Sequence, residues 1–117
     1  MSYVDGFVLV VPKKKLAIYK SMARKAGKIW REHGALEYIE CVADDVKPGK
    51  STSFPQSVKL KEGEVVVFSW ITYDSREQRD EINAKVMADP DLQVTECLDI
   101  FDGKRMIYGG FVPLLWL

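Results

Sequence analysis

Glu64-Val65-Val66-Val67-Phe68-Ser69-Trp70-Ile71-Thr72-Tyr73 is apolar in both of its alternating sets. Val65, Val67 and Ile71 accompany Ser69 on one side; Val66, Phe68 and Trp70 accompany Thr72 on the other. β-Branched and aromatic residues in such a run specify a strand, and apolar residues on both sides specify one buried on both faces. Asp74 and Ser75 follow, and Ser75 with Gln78 three residues on forms a capping box that opens a helix. That helix directs Ile82, Val86 and Met87 to the core and ends before Ala88-Asp89-Pro90.

Upstream, Tyr3 to Val11 is a strand stopped by Pro12, with Tyr3, Asp5, Phe7, Leu9 and Val11 on one side and Val4, Gly6, Val8 and Val10 on the other. From Lys13 the period lengthens. Leu16, Tyr19, Ala23, Ala26 and Trp30 recur at helical steps among lysines and arginines, and Gly34 ends the helix with His33 in its last turn. Ala35 to Val42 is a second strand. Residues 44 to 61 are polar, contain Pro48, Gly49 and Pro55, and predict a long loop of the kind that carries function or moves. Downstream, Asp91 to Ile100 is compatible with a helical turn or a short strand. Asp102-Gly103 marks a turn, Arg105 to Val112 is a last strand, and Pro113 to Leu117 is an apolar tail.

Strand, helix, strand, strand, helix, strand is the ferredoxin-like β-α-β-β-α-β order. Two right-handed β-α-β units make a four-stranded antiparallel sheet, order 4-1-3-2, with both helices on one face. At 117 residues there is room for a single α+β domain over residues 1–117 and no second core.

The helices cover one face of that sheet, yet both faces read as apolar. An uncovered face exceeds what monomers expose. Burying about 600 Å² of it per subunit is worth on the order of 15 kcal/mol gross, which predicts a homodimer. The apolar tail makes the same demand.

Seventeen basic and seventeen acidic residues leave no global field to draw nucleic acid or an anionic membrane, so neither is expected as a partner. No signal peptide and no spanning stretch are read, and a cytoplasmic protein is expected. Lys13, Lys14 and Lys15 read as a solvated helix start rather than a phosphate patch. Cys41 and Cys97 have no CxxC partner and read as two buried, reduced thiols. One histidine and two isolated cysteines make no metal-ligand set, and no cofactor is expected. Gly109-Gly110 lies inside a strand, where close approach of a side chain explains it better than a phosphate does.

The segments Tyr3-Val4-Asp5-Gly6-Phe7, Phe68-Ser69-Trp70-Ile71, Lys85-Val86-Met87-Ala88-Asp89-Pro90 and Phe101-Asp102-Gly103-Lys104-Arg105-Met106-Ile107-Tyr108-Gly109-Gly110-Phe111 resemble the YbaA-like family of short bacterial proteins. The resemblance runs across nearly the whole chain. It implies the dimeric α+β barrel superfold and no catalytic residues, since the family has no assigned function. The tail from Val112 to Leu117 is longer and more apolar than that family leads one to expect.

Four residues are candidates for chemistry. Asp5 is a carboxylate on an otherwise apolar strand and needs a partner or a raised pKa. Arg105 and Tyr108 on the neighbouring last strand are its expected partners; an Asp5–Arg105 ion pair is the plain account and a polar cluster lining a ligand cavity the alternative. Ser69 and Trp70 are placed to line the same cavity. His33 is the one side chain that ordinarily titrates near neutrality, with helix capping as its simpler role and general base the alternative. Two functions follow. One is binding of a small apolar or aromatic molecule in a helix–sheet or dimer-seam pocket, with cofactor-independent oxidation or isomerisation. The other is a non-enzymatic, stress-associated or partner-binding module using the 44–61 loop. A cavity of about 300 Å³ or more reached by Asp5, Arg105 or His33 favours the first.

Overall fold

The computed structural model describes residues 2–95 and 100–117. Strand β1 (Tyr3–Pro12) runs through a 3-10 turn at Lys13–Lys15 into helix α1 (Leu16–Glu32), then strand β2 (Glu37–Val42). A short helix α2 (Phe54–Ser57) precedes strand β3 (Glu64–Tyr73); helices α3 (Arg76–Ala88) and α4 (Pro90–Thr95) and strand β4 (Ile107–Phe111) follow. The sheet is antiparallel in the order β2-β3-β1-β4, the expected ferredoxin-like topology with β1 and β3 at its centre.

Local chemistry explains the boundaries. Gly34 at φ 119° turns the chain out of α1, a conformation that side-chain-bearing residues rarely adopt. The Ser75 side chain accepts from Gln78 N at 3.1 Å, so the capping box opens α3 as expected. A second Ser-x-x-Gln pair opens α2: Gln56 N donates to Ser53 Oγ at 3.2 Å, and Ser53 Oγ donates back to Gln56 Oε1 at 2.7 Å. The segment read as plain loop therefore contains one helical turn. The last strand begins at Ile107 rather than Arg105, because Arg105 N closes a turn on Asp102 O.

One face of the sheet packs on the helices. Tyr3, Ile71 and Tyr73 meet Ile29, Ile82, Val86 and Leu92, while Leu9, Val11 and Val67 meet Tyr19 and Ala23. The molecule is 22 Å in its thinnest direction, one sheet plus one helical layer. On the opposite face Val8, Val10 and Val66 are buried against Val58, with Ala43 and Leu60 around them. The 44–61 segment thus covers one end of the second face with its own apolar side chains. The other end is open: Phe68 is 42% exposed, Ile107 46% and Phe111 63%.

Two expectations are corrected. Met87 is 56% exposed, because the α3 stripe facing the sheet is Ile82 and Val86 and the next position turns toward solvent. Cys41 is exposed, since it points from an edge strand toward the open face; Cys97 lies outside the described residues. Among the described residues no helix is long and apolar enough to cross a membrane.

Candidate functional site

Between the sheet and its helices lies a cavity of about 540 Å³. Its walls are largely apolar, with Phe7, Leu9, Met22, Trp30, Ile71 and Phe101 prominent, and two polar clusters break them.

The first cluster is centred on Asp5. Its β1 position pairs with Ile71 on one side and Gly110 on the other, which directs the carboxyl into the helix-covered layer, where the residue is 7% exposed. Its ionic partner is Arg79 of α3, whose Nε lies 3.6 Å from Asp5 Oδ1. Arg79 is held in place by an Nη2 donation to Tyr3 Oη at 2.9 Å and by stacking of the guanidinium 4.9 Å from the Tyr3 ring centre. Its Nε, also 3.5 Å from Asp80, is buried without a hydrogen-bond partner among the described residues. Burial pushes the Asp5 carboxyl above the usual carboxylate range, against the opposing pull of the Tyr73 hydroxyl and Arg79. Burial also pushes the Tyr73 phenol up, and Asp5 adds to that shift. Tyr73, fully buried, and Trp30 both reach Asn83: Trp30 Nε1 donates to Asn83 Oδ1 at 3.1 Å.

The second cluster is a carboxylate between two phenols. Glu40 of β2 accepts from Tyr19 Oη at 2.7 Å and from Tyr38 Oη at 2.9 Å. Desolvation raises the Glu40 pKa in spite of both hydrogen bonds. The Tyr19 and Tyr38 hydroxyls are pushed far above the phenol range, by burial first and by the adjacent Glu40 next. The two phenols therefore keep the protons with which they make these bonds. Glu40 pairs with Ser69, and Ser69 with Phe7, two residues along β1 from Asp5, so the two acidic positions stand two strand spacings across the sheet and two residues along it, roughly 12 Å apart.

Two glycines permit this packing. A Cβ on Gly27 would sit 2.6 Å from Tyr38 Cδ1, so the helix can lie on that ring because it has no side chain there. A Cβ on Gly110 would overlap Tyr3 Oη and Arg79 Nη2, so the close-approach reading holds at Gly110, whereas a Cβ on Gly109 would meet only Phe111 at 3.8 Å.

Of the four candidates from sequence, Asp5 and Tyr108 line the cavity, Tyr108 at its rim with its ring 6.3 Å from that of Phe7. Ser69 and Trp70 line it too. Arg105 does not reach Asp5. The β1–β4 register places Gly110 opposite Asp5, which leaves Arg105 five residues further along, roughly 17 Å away. Arg105 instead forms a two-pronged bond to Glu64, at 2.8 and 2.6 Å, and a third to Asp102 at 2.9 Å. His33 stands outside the cavity as well, with Nε2 2.8 Å from Asp89 Oδ2, where it ties the end of α1 to the α3–α4 junction. Glu40 and Arg79 were missed. Both carried a signal, since Glu40 alternates with Tyr38 and Val42, and Arg79 falls on the stripe of Ile82 and Val86. Among the described residues no group of three His, Cys, Asp or Glu side chains is placed to hold a metal ion.

The chain resembles curated and solved proteins along its whole length. It is 51% identical over 115 residues to the uncharacterised protein YbaA of Escherichia coli K12, covering 98% of both chains, and equally to that of Shigella flexneri. A dimeric ferredoxin-like protein from an uncultured marine organism superposes with a TM-score of 0.64 at 10% identity, covering 100% of this chain and 98% of the other. A NIPSNAP family protein of unknown function from Agrobacterium tumefaciens gives 0.60 at 15% identity over 96% and 87% of the two chains. SnoaB, a cofactor-independent oxygenase from Streptomyces nogalater, gives 0.56 at 11% identity over 99% and 96%. At these identities the solved structures speak for the fold alone. The family model that matches, over residues 2–103, is that of a protein of unknown function, DUF1428, and the chain belongs to this family.

Proposed function

We propose that the protein works as a homodimer that binds a small apolar or aromatic molecule in the cavity between sheet and helices, with Asp5 and Glu40 as its proton-handling groups. The cavity itself carries this reading. At about 540 Å³ it exceeds the roughly 300 Å³ a small ligand needs, and Asp5 opens onto it. Carboxyls whose pKa values are raised by burial in an apolar wall are better proton acceptors than solvated carboxylates. The step such a site supports is removal of a proton from an acidic C–H or O–H of the ligand. Returning it at another atom is an isomerisation. Alternatively, the deprotonated ligand reacts with dioxygen, a methylene becoming a carbonyl with water as the second product. Arg79 and Tyr73 orient Asp5, and Tyr19 and Tyr38 orient Glu40. The likeness in fold to a cofactor-independent oxygenase and to dimeric ferredoxin-like proteins agrees with this reading by analogy. The partner-binding alternative draws less support, since Val58 in the 44–61 segment is 1% exposed and anchors that segment to the sheet.

Native mass spectrometry of the purified protein tests the proposal. The expected result is a dimer carrying one small molecule per chain, lost on unfolding and absent from an Asp5→Asn, Glu40→Gln variant. A ligand-free protein that also fails to bind any member of a library of small aromatic and aliphatic compounds would overturn it.

A further inference from the structure

Outside the cavity, a groove of about 870 Å³ runs between α1 and the edge strand β2. Its floor is apolar, formed by Leu16, Ala23, Gly27, Val42 and Val67. One wall is a ridge of α1 bearing Lys20, Arg24, Lys28 and Arg31, spaced at four, four and three residues so that all four lie along the same side of the helix. The chain is neutral as a whole, yet from Lys13 to Glu32 it carries eight basic residues and one acidic one. The four ridge cations are exposed, and none forms an ion pair among the described residues. The acids on the groove are Glu32 at its end and Glu40, whose carboxylate is already engaged by two hydroxyls.

The groove and the inner cavity share four lining residues: Tyr19, Ala23, Tyr38 and Glu40. The Tyr19–Glu40–Tyr38 cluster is thus the partition between them, made of side chains rather than of backbone. A concave apolar floor with unpaired cations on one wall recognises a molecule with an apolar body and a negative head, and the cations raise its local concentration.

We propose that this groove is the mouth of the ligand cavity and that the ligand is an amphipathic anion. Its aromatic or aliphatic body passes the Tyr19–Glu40–Tyr38 partition, and its carboxylate, sulfonate or phosphate stays against Lys20, Arg24, Lys28 and Arg31. The inference rests on the cavity being a ligand site and adds the ligand's charge and its route.

Two fluorescent probes with the same aromatic body separate the claims: anilinonaphthalene sulfonate, an anion, and N-phenylnaphthylamine, which is neutral. The wild-type protein is expected to bind the sulfonate more tightly than the amine, one per chain, with affinity that falls as salt rises. The Lys20→Gln, Arg24→Gln, Lys28→Gln variant changes exposed side chains that hold no ion pair among the described residues, so its fold is expected to persist. It should weaken the sulfonate roughly tenfold or more and leave the amine within about twofold. Sulfonate affinity unchanged in that variant, or amine bound by the wild type as tightly as sulfonate, would overturn the anionic mouth while leaving the cavity as a ligand site. Failure of the wild type to bind either probe would count against the cavity itself.

Discussion

Glu40 Oε1 accepts a 2.7 Å hydrogen bond from Tyr19 Oη, joining the outer strand of the sheet to the first turn of α1 across 21 residues of sequence. The bond holds a carboxylate in an apolar wall, and the pKa of that carboxylate is raised because burial outweighs both phenol donors. A group whose pKa is higher folded than unfolded binds more protons in the folded state, so its contribution to stability is complete below the unfolded value, near 4.5, and is lost as pH rises through the folded value. Glu40→Gln removes that loss. The melting temperature of the variant relative to the wild type is expected to rise from pH 4 to pH 8 when both are scanned by calorimetry. A difference constant with pH would show that Glu40 is not destabilised by its burial.

Gly27→Ala tests how tightly α1 lies on the Tyr38 ring. Alanine improves helix propensity by about 1 kcal/mol, but its Cβ would stand 2.6 Å from Cδ1 and 3.1 Å from Cγ of Tyr38, near the root of that side chain. Overpacking of this kind costs about 1–3 kcal/mol, so a net loss of up to about 2 kcal/mol is expected in urea unfolding. An equal or greater stability would mean that the ring has room to retreat into the groove.

The open end of the second sheet face is where a partner copy is expected. Phe68 packs against Phe54 and Trp70, with ring centres 6.0 and 5.6 Å away, yet is 42% exposed. Phe68→Asp places a charge at the middle of that patch. Sedimentation equilibrium at micromolar concentration is expected to show a wild-type dimer and a monomeric variant with an unchanged circular dichroism spectrum. A monomeric wild type would refute the dimer.

The His33–Asp89 pair is expected to steady the α3–α4 junction. The His33 bond holds the Asp89 carboxyl below its usual pKa of 3.8, so the stabilisation is present above that value and lost as pH falls through the lower one. His33→Ala, Asp89→Asn and the double variant should each lower the melting temperature by the same few degrees at pH 6, and by nothing at pH 2. Additive losses in the double variant would show that the two residues act separately.

Much of this architecture was legible because it depends on local alternation and on short capping signals. The apolar run Glu64–Tyr73 became β3 with those bounds, Pro12 ended β1, and Gly34 took the left-handed turn after α1. The parity of β1 also grouped Asp5 with Tyr3, Phe7, Leu9 and Val11, the set that packs under the helices, where Asp5 is buried. Its partner was not legible. Adjacency of β1 and β4 follows from topology, but the register that carries Arg105 past Asp5 to Glu64, and brings Arg79 in from α3, is decided by how the helical layer seats on the sheet.

The same division holds for the site as a whole. Residue order determined the elements, their ferredoxin-like succession and the apolar character of both sheet faces, because strand and helix periods act over neighbouring residues. Tertiary structure decided that the 44–61 segment folds over half of the second face, and that Glu40 meets Tyr19. It also decided that a cavity remains between the layers. Contacts such as Tyr19–Glu40 and Val58–Val10 join residues 20 or more apart, and the cavity's geometry depends on the helix–sheet fit, which two glycines and a few large side chains determine in three dimensions.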